Sequence, residues 1–361
     1  MSKRQYMLQP CGRKAKRRQP QTQTQTHRQH LYLVVDDWGN GYSVRKIDVD
    51  AFDSDALDSD AGAADLDEEA EPLPEPPVIR FKGPHCDLWN LGAHDTSILA
   101  MPVSSDADNA FPVFDTRTLG LSLCAHPAGQ KVYPKPFFAS VAGKLYMMVA
   151  FSVCVLGAPP PRKEDAQWSW TMAPPAPLKS SDIRSSALHP DGRTLFVSEA
   201  KNTFSLDTEN LSWTCQGNWV MPFRGQAYFD DQLDAWVGLC RHKGGVGYVC
   251  SSDVPPVSTV GSMPAWKLGK DQLFSADDKR HLGATLLYLG NNNYCLVESL
   301  LHKHFKRCRG PRHLVLYVTK FGLKYDKDGE LRTTRQSARS YEMMEGHELN
   351  DLCSTPVAFW M

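Results

Sequence analysis

Three groups of side chains have the types that metal or acid–base chemistry uses. Cys240, His242 and Cys250, with His302, His304 and Cys308 further on, offer sulfur and imidazole ligands. A structural zinc site needs its pairs at short fixed intervals, C-x2–4-C and H-x3–5-H, and neither interval occurs among them. They therefore read as strand and loop residues. Asp326-Lys327-Asp328-Gly329-Glu330 copies the opening of a calcium loop, but the full pattern with its closing Glu and flanking helices is missing, so a hairpin turn accounts for it. His189-Pro190-Asp191-Gly192 places a His beside an acid, yet Pro-Asp-Gly is a turn former in its own right. No Gly-x-Ser-x-Gly elbow or phosphate loop appears, so the sequence names no nucleophile, no base and no cofactor.

Two clusters carry charge instead. Lys303, Lys306, Arg307, Arg309 and Arg312 lie between His302 and Arg312 with no acid among them and with Phe305 able to stack. They form a candidate patch for an acidic partner. Against nucleic acid stands the overall charge of −1, since a nucleic-acid binder shows a broader basic excess. Arg13, Lys14, Lys16, Arg17 and Arg18 sit in an acid-free stretch of 30 residues with a QTQTQT tract that has nothing to bury. That segment is expected to be disordered, and its basic cluster is of the kind read as nuclear import.

What must position any of these residues is a set of short β-type runs. Thr203–Leu206 turns at Asp207-Thr208 into Leu211–Cys215, and Gln226–Phe229 turns at Asp230-Asp231-Gln232 into Ala235–Leu239. The second hairpin recurs at Trp89–Ala100, Phe138–Met148, Ser186–Val197 and Thr285–Val297. Its central residues, Ile98, Tyr146, Phe196, Trp236 and Leu296, are separated by 48, 50, 40 and 60 positions. The first hairpin recurs at Phe111–Leu123, and Asp115 and Asp207 lie 92 apart. Four strands in a unit of roughly 40–50 residues are the mark of a β-propeller. The expected fold is all-β, with six blades, five or seven being the neighbouring counts.

Gly143–Tyr146, Phe114–Thr116 and Leu211–Thr214 resemble the kelch unit, in which Phe-Asp or Tyr-Asp ends the third strand and a Trp lies in the fourth. Trp170, Trp213 and Trp266 fall where that Trp would stand. The kelch di-glycine is replaced by Met148-Val149, Ser198-Glu199 and Gly238-Leu239. From about His30 onward the chain also resembles a family of plant proteins abundant in grasses. The matching segments include HLYLVVDDWGNGYSVRKIDVDAF, GQAYFDDQLDAWVGLC, FGLKYDKDGELRTTR and PVAFWM. This resemblance implies a propeller-like fold and no assigned activity.

Taken in order, 1–30 is a basic tail and 31–361 one propeller. Leu31–Asp36 and Tyr42–Asp48 form a hairpin turning at Asn40-Gly41. The run from Asp50 to Glu75 carries eleven acids and no base, which predicts a self-repelling exposed loop, 50–77, inside the first blade. Blades are expected near 87–124, 136–172, 184–215, 225–268 and 281–344, with Pro255–Lys279 and His302–Arg312 as loop insertions. Val357–Met361 is apolar and is expected to pair with Leu31–Asp36, closing the circle with strands from both termini. Leu145–Ala158 is the longest apolar run, too short for the ~20 residues of a membrane span. Ten cysteines without a C-x-x-C pair fit a reducing compartment, cytoplasmic or nuclear. The function this suggests is a monomeric, non-catalytic protein-interaction module with no membrane or nucleic-acid partner. The alternative is an enzyme or carbohydrate-binding propeller with a polar pocket at its central channel.

Overall fold

The computed structural model describes residues 28–37, 41–54, 70–82, 89–102, 110–127, 136–157, 168–258, 260–274, 279–302, 314–343 and 355–361. Among them there are strands and short 3-10 turns but no α-helix. The second sheet shows the plan: β5 (Trp89–His94), β6 (Ser97–Pro102), β7 (Ala110–Asp115) and β8 (Leu121–Ala125) pair antiparallel in chain order. The third repeats it with β9 (Phe137–Val141), β10 (Lys144–Val149), β11 (Ser152–Gly157) and β12 (Ser169–Ala173). In the fourth stand β13 (Ser185–Leu188), β14 (Thr194–Ser198), β15 (Thr203–Asp207) and β16 (Ser212–Gly217). The fifth holds β17 (Phe223–Asp230), β18 (Ala235–Cys240), β19 (Tyr248–Ser252) and β20 (Trp266–Gln272). In the sixth, β21 (His281–Gly290), β22 (Asn293–Leu301), β23 (Leu314–Tyr325) and β24 (Leu331–Met343) carry β3 (Glu71–Pro72) on their outer edge. The first sheet takes β25 (Val357–Trp360), β1 (Leu31–Asp36), β2 (Tyr42–Ile47) and β4 (Ile79–Phe81) in that order. Val34 lies opposite Val357 and Leu31 opposite Trp360, the pairing of the two terminal segments that the apolar C-terminus implied.

Alternation along the strands explains how the sheets stack. Successive side chains leave opposite faces, so a strand between two neighbouring sheets must be apolar at every position. In β10, Leu145 and Met147 pack on Leu99, Met101 and Phe111 of the second sheet, while Tyr146 and Met148 pack on Leu195 and Val197 of the fourth. The same division runs through β1: Tyr32 and Val34 join Ile98 and Phe114 of the second sheet, and Leu31, Leu33 and Val35 join Val297, Leu316 and Val318 of the sixth. Phe196 meets Phe223 and Trp236 between the fourth and fifth sheets, and Val237 meets Tyr294 and Phe321 between the fifth and sixth. The five residues that mark the sequence period all lie on second strands and are buried.

Two expectations need correction. Pro255–Lys279 is not simply an insertion, because Trp266–Gln272 within it is the outer strand β20; Ser252 is paired with Trp266 there. The acidic segment 50–77 is not wholly exposed. At its start a 3-10 turn, Val49–Ser54, buries Phe52, and near its end Leu73 is buried in the same cluster, between the sixth and first sheets. Between them Glu71–Pro72 pairs parallel with β24. Two apolar side chains outweigh the local charge, which is partly matched: Lys320 lies 3.2 Å from Asp50, and the Arg339 guanidinium sits 5.0 Å over the Phe52 ring. Arg28, in the basic tail, reaches Asp48 at 3.1 Å and Asp50 at 3.6 Å, so tail and acidic run do touch.

Candidate site in the central cavity

The six innermost strands, β5, β9, β13, β17, β21 and β25, all line one cavity of about 950 Å³. Their neighbourhood is tight. Gly92 faces Phe138 so closely that a Cβ there would lie 2.9 Å from the ring, which is why a residue without a side chain stands on β5. One step on, His94 Nδ1 is 2.8 Å from the Ser140 hydroxyl, so β5 and β9 run side by side in one direction. Burial holds the His94 imidazole below its ordinary pKa, which favours its neutral form. The Tyr228 hydroxyl donates to the Leu286 carbonyl at 3.1 Å, and burial pushes its pKa up. Thr285 donates to the Pro356 carbonyl at 2.6 Å and fastens β21 to the segment entering β25.

The fourth and fifth sheets are joined at this cavity. β13 and β17 pair parallel, Ser185 opposite Gly225, and the Gly225 N–H donates to the Arg184 carbonyl at 2.9 Å. That register puts Arg184 beside Arg224, both exposed and both lining the cavity. Asp95 is the one carboxylate side chain among the described lining residues. General acid–base work needs a His or carboxylate within hydrogen-bond reach of its partner and of a reacting group. Here the side-chain hydrogen-bond neighbour of His94 is the Ser140 hydroxyl, and Asp95 acts on it through its charge.

The candidates drawn from the sequence fall elsewhere. Arg13, Lys14, Lys16, Arg17 and Arg18 lie outside the described residues, and so do Lys303, Lys306, Arg307, Arg309 and Arg312. Cys240 and Cys250 do come together: the Cys250 thiol donates to the Pro222 carbonyl at 3.6 Å, and its contact with Cys240 holds the Cys240 pKa down to about 7 while that of Cys250 rises. His242 turns away and stacks on Trp266 at 4.7 Å. Among the described residues no three His, Cys, Asp or Glu side chains are placed to hold a metal. Asp326 is a turn residue, its carboxylate accepting from the Asp328 and Glu330 amides at 3.0 and 2.9 Å. In the His189–Asp191 turn, burial acts to raise the Asp191 pKa but is outweighed by the Thr194 hydroxyl at 2.6 Å and two backbone amides, leaving it lowered. The arginines of the cavity escape motif reading, although one trace exists: they stand 40 positions apart, as Phe196 and Trp236 do.

Away from the cavity, β8 is the outer edge strand of the second sheet. Leu121 and Leu123 on it are 61% and 67% exposed, and Leu119 in the preceding turn is 66% exposed.

Six groups of four antiparallel strands about a shared cavity, the fourth and fifth joined edge to edge and the sixth carrying β3, define a β-propeller. The chain belongs to the family described as "Protein of unknown function (DUF1668)", which matches residues 28–341. No curated protein matches the chain significantly. Among solved structures it is similar to a putative 6-phosphogluconolactonase from Bacteroides fragilis, at 12% identity and a TM-score of 0.38 over 91% of this chain and 98% of that one. It is similar also to Kuenenia stuttgartiensis hydrazine synthase, at 12% identity and a TM-score of 0.36, covering 66% of this chain and 62% of that one. A third likeness is to the WD40 domain of SCAP from fission yeast, at 8% identity and a TM-score of 0.28, covering 74% and 69%. No residue role is carried over from any of them.

Proposed function

We propose that the chain is a non-catalytic protein-interaction module built on a kelch-like propeller and working in the cytoplasm or nucleus. The observation that carries this reading is the apolar edge of the second sheet. Leu119, Leu121 and Leu123 are each more than half exposed, on and beside a strand whose outer edge has no paired neighbour among the described residues. Exposed leucines beside open backbone donors and acceptors are what an extended partner segment uses when it adds a strand to a sheet. Arginines and neutral hydrogen-bonding groups in the cavity, without a paired acid and base, support the same reading.

The test is affinity capture from native tissue with the wild-type chain and with Leu121→Lys/Leu123→Lys. Because both side chains are exposed, the variant should melt within a few degrees of wild type, surface changes costing about 0.5 kcal/mol or less. Its set of retained proteins should lose the members specific to the wild type. Identical captured sets would reject the edge strand as the interaction surface.

A further inference from the structure

Arg184 and Arg224 stand in an arrangement that isolated propeller folding does not favour. Arg184 immediately precedes β13, and extending the parallel register of Ser185 with Gly225 back by one residue sets it beside Arg224, one inter-strand spacing of about 4.8 Å away at the backbone. Like charges directly opposite one another in a sheet are destabilising. Among the described residues neither guanidinium has a hydrogen-bond or ion-pair partner. Asp95, the lining carboxylate, belongs to the turn that ends β5, whereas Arg184 precedes β13 and Arg224 is the second residue of β17, and among the described residues no ion pair joins Asp95 to either.

The backbone is shaped around the same point. The pairing of β17 with β18 shifts register between Arg224 and Tyr228, and it is across this irregularity that Gly225, Gln226 and Ala227 pair with β13 instead. Bulges of this kind re-aim side chains and occur beside binding sites. Gly225 has φ +76, and a Cβ built on it would meet nothing within 4 Å. Both arginines line the cavity, and Gln226 lines it as a further donor. Phe138, Phe359 and Trp360 are among the other residues lining the cavity and give it an aromatic wall.

We propose that Arg184 and Arg224 bind a phosphate dianion, free or as the head group of a small phosphate ester, at the central cavity. Two guanidinium forks supply parallel donors matched to phosphate oxygens, and two positive charges match the dianion. Binding would convert the repulsion between neighbouring arginines into a bridged pair. The proposal is independent of the edge-strand reading and does not need β8.

Titration calorimetry with inorganic phosphate and with phenyl phosphate, at low ionic strength and in a phosphate-free buffer, tests it. The wild type should bind one equivalent, and phosphate should raise its melting temperature. Arg184→Gln and Arg224→Gln should each weaken binding at least about tenfold. Without phosphate, each should melt no lower than the wild type, because removing one charge lifts the repulsion, and this separates a lost site from a damaged fold. Arg224→Lys, which keeps the charge and loses the fork, should fall between. Tighter binding of phenyl phosphate than of inorganic phosphate would assign an organic ester that uses the aromatic wall; equal affinity would assign free phosphate. No binding by the wild type up to about 10 mM, or binding that survives in the double Gln variant, would overturn the site.

Discussion

Single side chains set where this fold tolerates polarity. Arg45 is wholly buried, and two of its three nitrogens are hydrogen-bonded: Nη1 gives to the Pro74 carbonyl at 2.9 Å and reaches the Glu75 carboxylate, Nε gives to the Ser43 hydroxyl at 3.2 Å, and Nη2 makes no hydrogen bond among the described residues but lies 3.9 Å from the Asp37 carboxylate. It pins the segment leaving the acidic run to β2. His126 is the contrasting case. It is buried edge-on to Phe111, ring centroids 5.1 Å apart, and neither ring nitrogen has a hydrogen-bond partner among the described residues. Burial accordingly lowers its pKa from the ordinary 6.5. As pH falls through 6.5, the unfolded chain takes up the proton before the folded one does. Stability from this group is thus present above 6.5 and lost progressively as pH drops towards the folded value. We expect the wild type to lose more melting temperature between pH 7.5 and 5.5 than His126→Leu, with thermal unfolding as the readout. Equal slopes would show that the ring titrates normally.

At the scale of elements, the turns are where sequence and structure agree most closely. Asp115 and Asp207 each end a third strand and accept from the amides two and three residues on, Arg117 and Thr118 in one case and Glu209 and Asn210 in the other. Side-chain bonding to the local backbone makes this legible without tertiary information. Asp230 extends the device across sheets. Its Oδ1 accepts from the Gln232 and Leu233 amides, and its Oδ2 accepts from the buried Tyr294 hydroxyl of the next sheet at 2.8 Å. Burial, with the Asp230 charge beside it, drives the Tyr294 pKa up. Asp230→Ala should therefore cost more than an ordinary turn residue, about 1–3 kcal/mol for the stranded hydroxyl alone, measured by denaturant unfolding. Tyr294→Phe in the Ala background should recover part of that loss. The second strands were equally legible, since Ile98, Tyr146, Phe196, Trp236 and Leu296 sit in runs that two flanking sheets require to be apolar throughout. The binding of Glu71–Pro72 to β24 was not, because two short contacts at the ends of a strongly acidic run leave no periodic signal. Nor was the pairing of Arg184 with Arg224, which exists only through the parallel contact of β13 and β17.

For the whole molecule, the C-terminal strand is the place where the most sheets depend on the fewest residues. Ala358 packs in the cluster between the sixth and first sheets, while Val357 and Phe359 pack in the one between the first and second. Thr285 of the sixth sheet holds the Pro356 carbonyl, Trp360 donates to Gln29 at 3.1 Å, and the Met361 carbonyl accepts from the His30 amide at 2.7 Å. β25 also covers the inner edge of β1 and lines the central cavity. Removing residues 356–361 would expose an apolar strand edge and open two core clusters at once, a larger loss than any single truncation in a blade. Melting temperature should fall by roughly 5 °C or more, since about 1 kcal/mol shifts a chain of this size by about 1–2 °C and the deletion removes several buried side chains. Hydrogen exchange should then rise first in β1 and β21, the strands that β25 and its approach segment hold. A deletion variant with unchanged melting temperature would mean that the first and sixth sheets stay together through the cluster of Leu31, Leu33, Val35, Val297, Leu316 and Val318 without Ala358, and that the terminal strand contributes cover to the cavity without contributing to its stability.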